Sequence, residues 1–176
     1  MKKLILAGIV LLWTISSQAQ FIKAELEVSG LTCSMCSLST QKSLKTLDFI
    51  ENINPDLNKN IFYISFRNDK PVSPDAIKDK VKAAGFSVSK LILVFNFSGK
   101  ETSTSGTIER FENAGDSYQF FSPKNSLLKG ETRFRILDKD FMSSKELKKI
   151  NLPSLDNNVN TLKSSKKQRI YLISLS

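Results

Sequence analysis

Cys33 and Cys36 are the only cysteines in the chain, and they stand three positions apart in Gly30-Leu31-Thr32-Cys33-Ser34-Met35-Cys36. Two thiols at that spacing can converge on one soft metal ion, or cycle between dithiol and disulfide. No histidine occurs anywhere in the sequence. That removes Ser–His and Cys–His catalysis, histidine general bases and imidazole ligands, so an enzymatic role has no positive support. With Cys33 and Cys36 as the metal ligands, the donor set suits a soft ion of low coordination number. Cu(I) is the leading candidate, and Hg(II) is chemically similar. Structural zinc takes four N or S ligands, so Zn(II) needs donors recruited from elsewhere or a dimer. A monomeric iron–sulfur cluster needs more cysteines than the chain has. The Met35 thioether is a candidate weak third ligand for Cu(I). The plainer reading is that it meets solvent or touches a docking partner.

The elements around the pair are those that would aim both sulfurs at one point. Before the motif, Ile22, Ala24, Leu26 and Val28 alternate with Lys23, Glu25 and Glu27, which predicts a half-buried strand over 21–28. After it the period changes. Cys36, Thr40, Leu44 and Leu47 fall on one face of a helix expected over 34–47. The cysteines then sit at a helix start, where the N-terminal dipole favours thiolates. Residues 50–57 read as a second strand, placed at a sheet edge because Pro55 lacks a donor. Asn58-Lys59-Asn60 reads as a turn, and 61–66 (IFYISF) as an aromatic, β-branched third strand. Residues 68–72 form a loop. Ser73-Pro74-Asp75 is a helix start, with Ser73 as N-cap, Pro74 at the first helical position and Asp75 complementing the dipole. Ile77, Val81 and Ala84 follow at helical spacing, and Gly85 closes that helix. A long apolar fourth strand covers 86–97. The order strand, helix, strand, strand, helix, strand predicts an α+β, ferredoxin-like βαββαβ sandwich.

Here the chain resembles a known family over residues 21 to about 94. The heavy-metal-associated domain of copper chaperones, metal-transporting ATPases and the periplasmic mercury scavenger carries Gly-Met-Thr-Cys-x-x-Cys, leucines on the first helix and a Lys-Ala-Gly-aromatic step. This sequence has Gly30 to Cys36, Leu44 and Leu47, and Lys82-Ala83-Ala84-Gly85-Phe86. It departs in Leu31 for the family's methionine, in Thr40 for a buried valine, and in Asp48-Phe49-Ile50 for Pro-Gly-Val. The resemblance implies reversible binding of Cu(I) or a similar ion by Cys33 and Cys36, with exchange to a metal donor or acceptor protein. A thiol–disulfide redox protein using the same cysteines is the alternative. It lacks the tryptophan-led context of thioredoxins. A third reading is a plain disulfide in an exported binding or adhesion module.

Composition sets the compartment. The chain has 176 residues. Lys2 and Lys3 precede an apolar run over 4–13, and Ser17-Gln18-Ala19 approximates a small-x-small cleavage site, so 1–19 is read as a signal peptide. The apolar run is far short of the roughly 20 residues that span a bilayer. The expected product is periplasmic or secreted, in an oxidising compartment, with no stable membrane insertion after cleavage. Two cysteines are too few for a disulfide framework. Removing Lys2 and Lys3 lowers the formal charge from +9 to +7. The lysines are scattered and no nucleic-acid footprint is evident.

Residues 20–97 are thus expected to form the metal-binding domain and 98–105, polar and containing Gly99, a linker. Residues 106–176 are expected to form a small β-rich domain, with strands at 106–111, 117–121, 130–137 and 169–175. Asn113-Ala114-Gly115-Asp116 is a turn signal between the first two. A short helix over 142–150 is capped by Ser143 or Ser144, and 156–165 is a polar loop. Phe121, Phe134 and Tyr171 have only a core reading. Asp138 and Asp140, with Glu131, are read as solvated acids, a hard-cation site being the alternative.

Overall fold

The structure, a computed structural model, describes residues 20–103, 110–121, 127–149 and 169–176. The expected signal peptide and the polar loop at 156–165 lie outside them. The first six elements are β1 (Gln20–Ser29), α1 (Ser34–Leu44), β2 (Ile50–Asp56), β3 (Ile61–Phe66), α2 (Pro74–Ala83) and β4 (Ser87–Ser103). They pair antiparallel in the order β2-β3-β1-β4, the ferredoxin-like arrangement, with β2 and its Pro55 at the edge.

Local chemistry accounts for these elements. The Ser73 hydroxyl accepts the Ala76 amide at 3.3 Å and Pro74 opens α2. Gly85 at φ +90 closes it, with its N–H donating to Lys82 O and the Phe86 N–H donating to Val81 O. That is the paired closure a left-handed residue after a helix permits. In the turn after β2, the Asp56 carboxylate accepts the amides of Asn58 and Lys59, and Asn60 takes φ +56. Two expectations shift slightly. Helix α1 ends at Leu44, and 45–47 continue as single turns through Thr46 N–H to Ser43 O and Leu47 N–H to Leu44 O. In β1 the buried residue is Phe21 rather than Ile22, because the β1–β4 ladder shifts register between Phe21 and Lys23 and rotates the side chains.

The expected linker at 98–105 is corrected. Strand β4 runs through Ser103, and its outer edge pairs with β7 (Leu127–Ile136) from Ile92–Arg135 to Ser103–Leu127. Its polar stretch is carried by backbone pairing, which does not need apolar side chains, and the ladder shifts register between Phe97 and Thr102 around Gly99. Beyond β7 come β8 (Ile170–Leu175), β6 (Asp116–Phe120) and β5 (Arg110–Asn113), so one eight-stranded sheet runs through both halves. The β5–β6 hairpin turns on Ala114 at φ +54 and Gly115 at φ +90, the left-handed pair a two-residue hairpin needs. The expected strand at 106–111 is described only from Arg110.

The two halves also share one core. Phe21 meets Tyr118 edge-on at 5.0 Å, Phe95 meets Phe111 at 5.0 Å, and Phe97 meets Phe134 at 5.9 Å. Burying such rings together is worth more than their area alone. A smaller cluster of Leu137, Met142 and Leu172 packs with Phe121 and Leu147 of α3 (Ser144–Lys149). The Ser143 hydroxyl caps α3, accepting the Glu146 amide and donating to the Glu146 carboxylate.

Candidate metal centre

Gly30 ends β1 at φ +92, and a Cβ there would meet the Phe86 ring at 3.5 Å. A glycine therefore lets the chain turn from the sheet into α1 above Phe86. Cys33 is the N-cap of α1, in extended conformation at φ −147 and ψ 157. Its sulfur accepts the Cys36 amide at 3.2 Å, and its carbonyl accepts the amides of Cys36 and Ser37. Each cysteine thus has a distinct place: Cys33 is exposed at the helix end, and Cys36 is half-buried against the core. Their Cα atoms are 5.3 Å apart and the pair is closed as a disulfide. Reduced, two sulfurs on one helical turn, with the Cys36 backbone N–H aimed at the first, would offer the thiolate donors that a soft cation prefers.

Between Gly30 and Leu47 there is no acidic residue, while Lys42 and Lys45 are present. Beside Cys33 lies an open depression of about 230 Å³, lined by Leu31, Thr32, Ser34, Ser37, Leu57 and Asn60. Met35 is 68% exposed, so its side chain stands in solvent, and Leu38 and Leu57 are exposed near it. Among the described residues, no cluster of three or more histidine, cysteine, aspartate or glutamate side chains is placed to hold a metal ion.

Helix α1 turns an unusual face inward. Its buried residues are Ser37, Thr40 and Leu44, and Cys36 and Leu47 pack half-buried against the core, so the face the helical period pointed to is present with Ser37 added to it. Hydroxyls under a helix must find acceptors. Thr40 donates to Cys36 O at 3.1 Å and Ser43 to Lys80 O on α2 at 2.7 Å, while the Gln41 amide donates to Ile53 O on β2 at 3.2 Å.

A second cluster was not legible as a unit in the sequence. Arg169 ion-pairs with Asp75 at 2.7 Å and Asp138 at 2.9 Å, and Lys78 pairs with Asp75 at 3.0 Å and Asp140 at 3.6 Å. Burial works against the charge of Lys78, but the bond to Asp75 and then the Asp140 charge hold its pKa above the usual lysine value. Asp138 and Asp140 are thus engaged with cations, not solvated, and Glu131 pairs separately with Lys23 at 3.6 Å. These acids do not converge on a hard-cation site. The partners come from α2, the turn before α3 and the start of β8, a juxtaposition that only folding creates. Phe134 and Tyr171 are core residues, as expected, and Phe121 is half-buried in the smaller cluster.

Fold order and cysteine turn together define the class: residues 25–87 match the heavy-metal-associated domain family. Solved structures similar to this chain include the CopZ metallochaperone, at 21% identity, 38% of this chain, 97% of that chain and a TM-score of 0.35. The yeast copper transporter domain Ccc2a, solved in apo and Cu(I)-loaded states, is similar at 27% identity, 38% and 90% coverage and a TM-score of 0.34. Oxidized MerP from Ralstonia metallidurans CH34 is similar at 19% identity, 41% and 96% coverage and a TM-score of 0.35. No curated protein matches the chain.

Proposed function

We propose that this is an exported heavy-metal-binding protein that holds Cu(I), or a similar soft ion, between Cys33 and Cys36 and passes it to, or sequesters it from, a partner protein. The observation that carries the reading is the cysteine pair itself: two sulfurs on the first turn of α1, one exposed and one half-buried. The heavy-metal-associated match over 25–87 supports it. Two sulfurs satisfy Cu(I), and the exposed Cys33 leaves room for an incoming ligand, so exchange needs no unfolding. The exposed side chains of Met35, Leu38 and Leu57 would meet the partner. Hg(II) fits the same donors, and Zn(II) would need two more. We assign no catalytic role. Export rests on the leader-like residues 1–19.

The closed Cys33–Cys36 disulfide favours a second reading, a thiol–disulfide redox protein. The two are separated by titrating the reduced protein with Cu(I) against a chromophoric chelator, beside a disulfide-reduction assay. The metal reading expects one Cu(I) per chain and loss of binding in Cys33→Ser or Cys36→Ser. Full copper binding by the double serine variant would sink it. Fast turnover in the reduction assay without copper binding would select the redox reading.

A further inference from the structure

Thr40, which the helical period placed on the inward face, stands where the resembled family has a buried valine. It is fully buried, at 0% exposure, on the inward face of the helix that carries the cysteines. Its hydroxyl donates to the carbonyl of Cys36, one turn back, at 3.1 Å. The other contacts on that turn run through Cys33, whose sulfur and carbonyl accept the Cys36 and Ser37 amides. The sulfur contact changes whenever Cys33 is oxidised, reduced or coordinated. The Thr40 bond involves no sulfur, so none of those changes breaks it directly, and a buried hydroxyl left without a partner is costly.

We infer that Thr40 is a positioning residue for Cys36: it holds the first turn of α1 closed in the reduced, metal-free protein, so that Cys36 is already in place when the ion arrives. The inference rests on the metal-binding reading above. When the disulfide opens, the first turn can fray, and fraying carries Cys36 away from Cys33. Apparent affinity then scales with the fraction of chains in which the turn is formed. One intrahelical hydrogen bond shifts that fraction by a factor of up to about five.

Two substitutions separate positioning from packing. Thr40→Val keeps the shape and removes the hydroxyl, whereas Thr40→Ser keeps the hydroxyl and removes a methyl group. Cu(I) affinity of the reduced proteins is measured by chelator competition, and thermal unfolding of the same samples reports packing. The expected result is a crossing. Thr40→Val binds Cu(I) more weakly, by up to about fivefold, while unfolding near the wild-type temperature. Thr40→Ser binds like wild type while unfolding at a lower temperature. Wild-type affinity in Thr40→Val, or equal losses of affinity in both variants, would overturn the assignment while leaving the cysteine site standing. Failure of wild-type protein to bind Cu(I) at all would instead remove the metal reading itself.

Discussion

The two crossover helices of the first half do the same topological job and are held in opposite ways. Helix α2 is fastened by Ile77 and Val81, both fully buried, by caps at each end, and by ion pairs from Asp75 to Arg169 and from Lys78 and Lys82 to Asp140. Helix α1 buries only Leu44 among its large apolar residues and is fastened by donors: Thr40 to its own first turn, Gln41 to β2 and Ser43 to α2. Apolar burial resists local opening strongly, whereas single hydrogen bonds contribute about 1 kcal/mol net each. The helix that carries the cysteines is thus the more weakly anchored of the two. The apolar anchoring of the helix pair therefore sits in α2, beside the cysteine turn rather than under it.

The comparison can be broken most readily at α2. Ile77→Ala should lower stability by about 3 kcal/mol, read from the urea midpoint. Because β4 and the aromatic cluster are common to both halves, that loss should come in a single transition. A mild effect, or two separate transitions, would mean that α2 and the shared core are not the anchor. Arg169→Met comes next, at about 1–2 kcal/mol, since it leaves Asp138 without its cation and Asp75 with Lys78 alone, in a partly solvated setting. Copper affinity should stay unchanged in that variant, because α1 carries the cysteines and is fastened elsewhere. A parallel fall in affinity would show that the ion-pair cluster and the cysteine turn are coupled.

The smallest effect concerns Asp116. Burial, and to a lesser degree Asp75, raise its pKa above the usual carboxylate value, against the bond from the Arg169 amide. With the folded pKa above the unfolded one, the native state holds more protons in that window, so this group's contribution to stability falls as pH rises through it. Asp116→Asn should therefore unfold at a slightly higher temperature than wild type at neutral pH. The gap should close as pH drops to about 3.5, below the unfolded value. A variant less stable than wild type at neutral pH would show that the carboxylate helps the cluster rather than straining it.

Much of the first half was readable from residue order. The alternation in β1, Pro55 at an edge, Ser73 and Pro74 at a helix start and Gly85 at its end are local signals, and each appears where local chemistry requires it. The cysteine pair was equally plain, because its meaning depends on spacing within one turn. The second half was read less well. Its strands carried the right composition, but nothing in 98–105 indicated that β4 would continue and pair on both edges.

What the sequence by itself determined is the chemistry on offer: two thiols, no imidazole, and the βαββαβ order that brings a helix start to the end of a strand. The tertiary structure alone decided which groups became partners. It turned Asp75, Asp138, Asp140 and Arg169 into one ion-pair cluster, gave β4 a second neighbour, and set Phe21 in place of Ile22 through a register shift. Helix and strand periods are written within a few residues. Ion pairs, ring contacts and strand pairing join positions far apart in the chain, and their partners are chosen only when the sheet assembles.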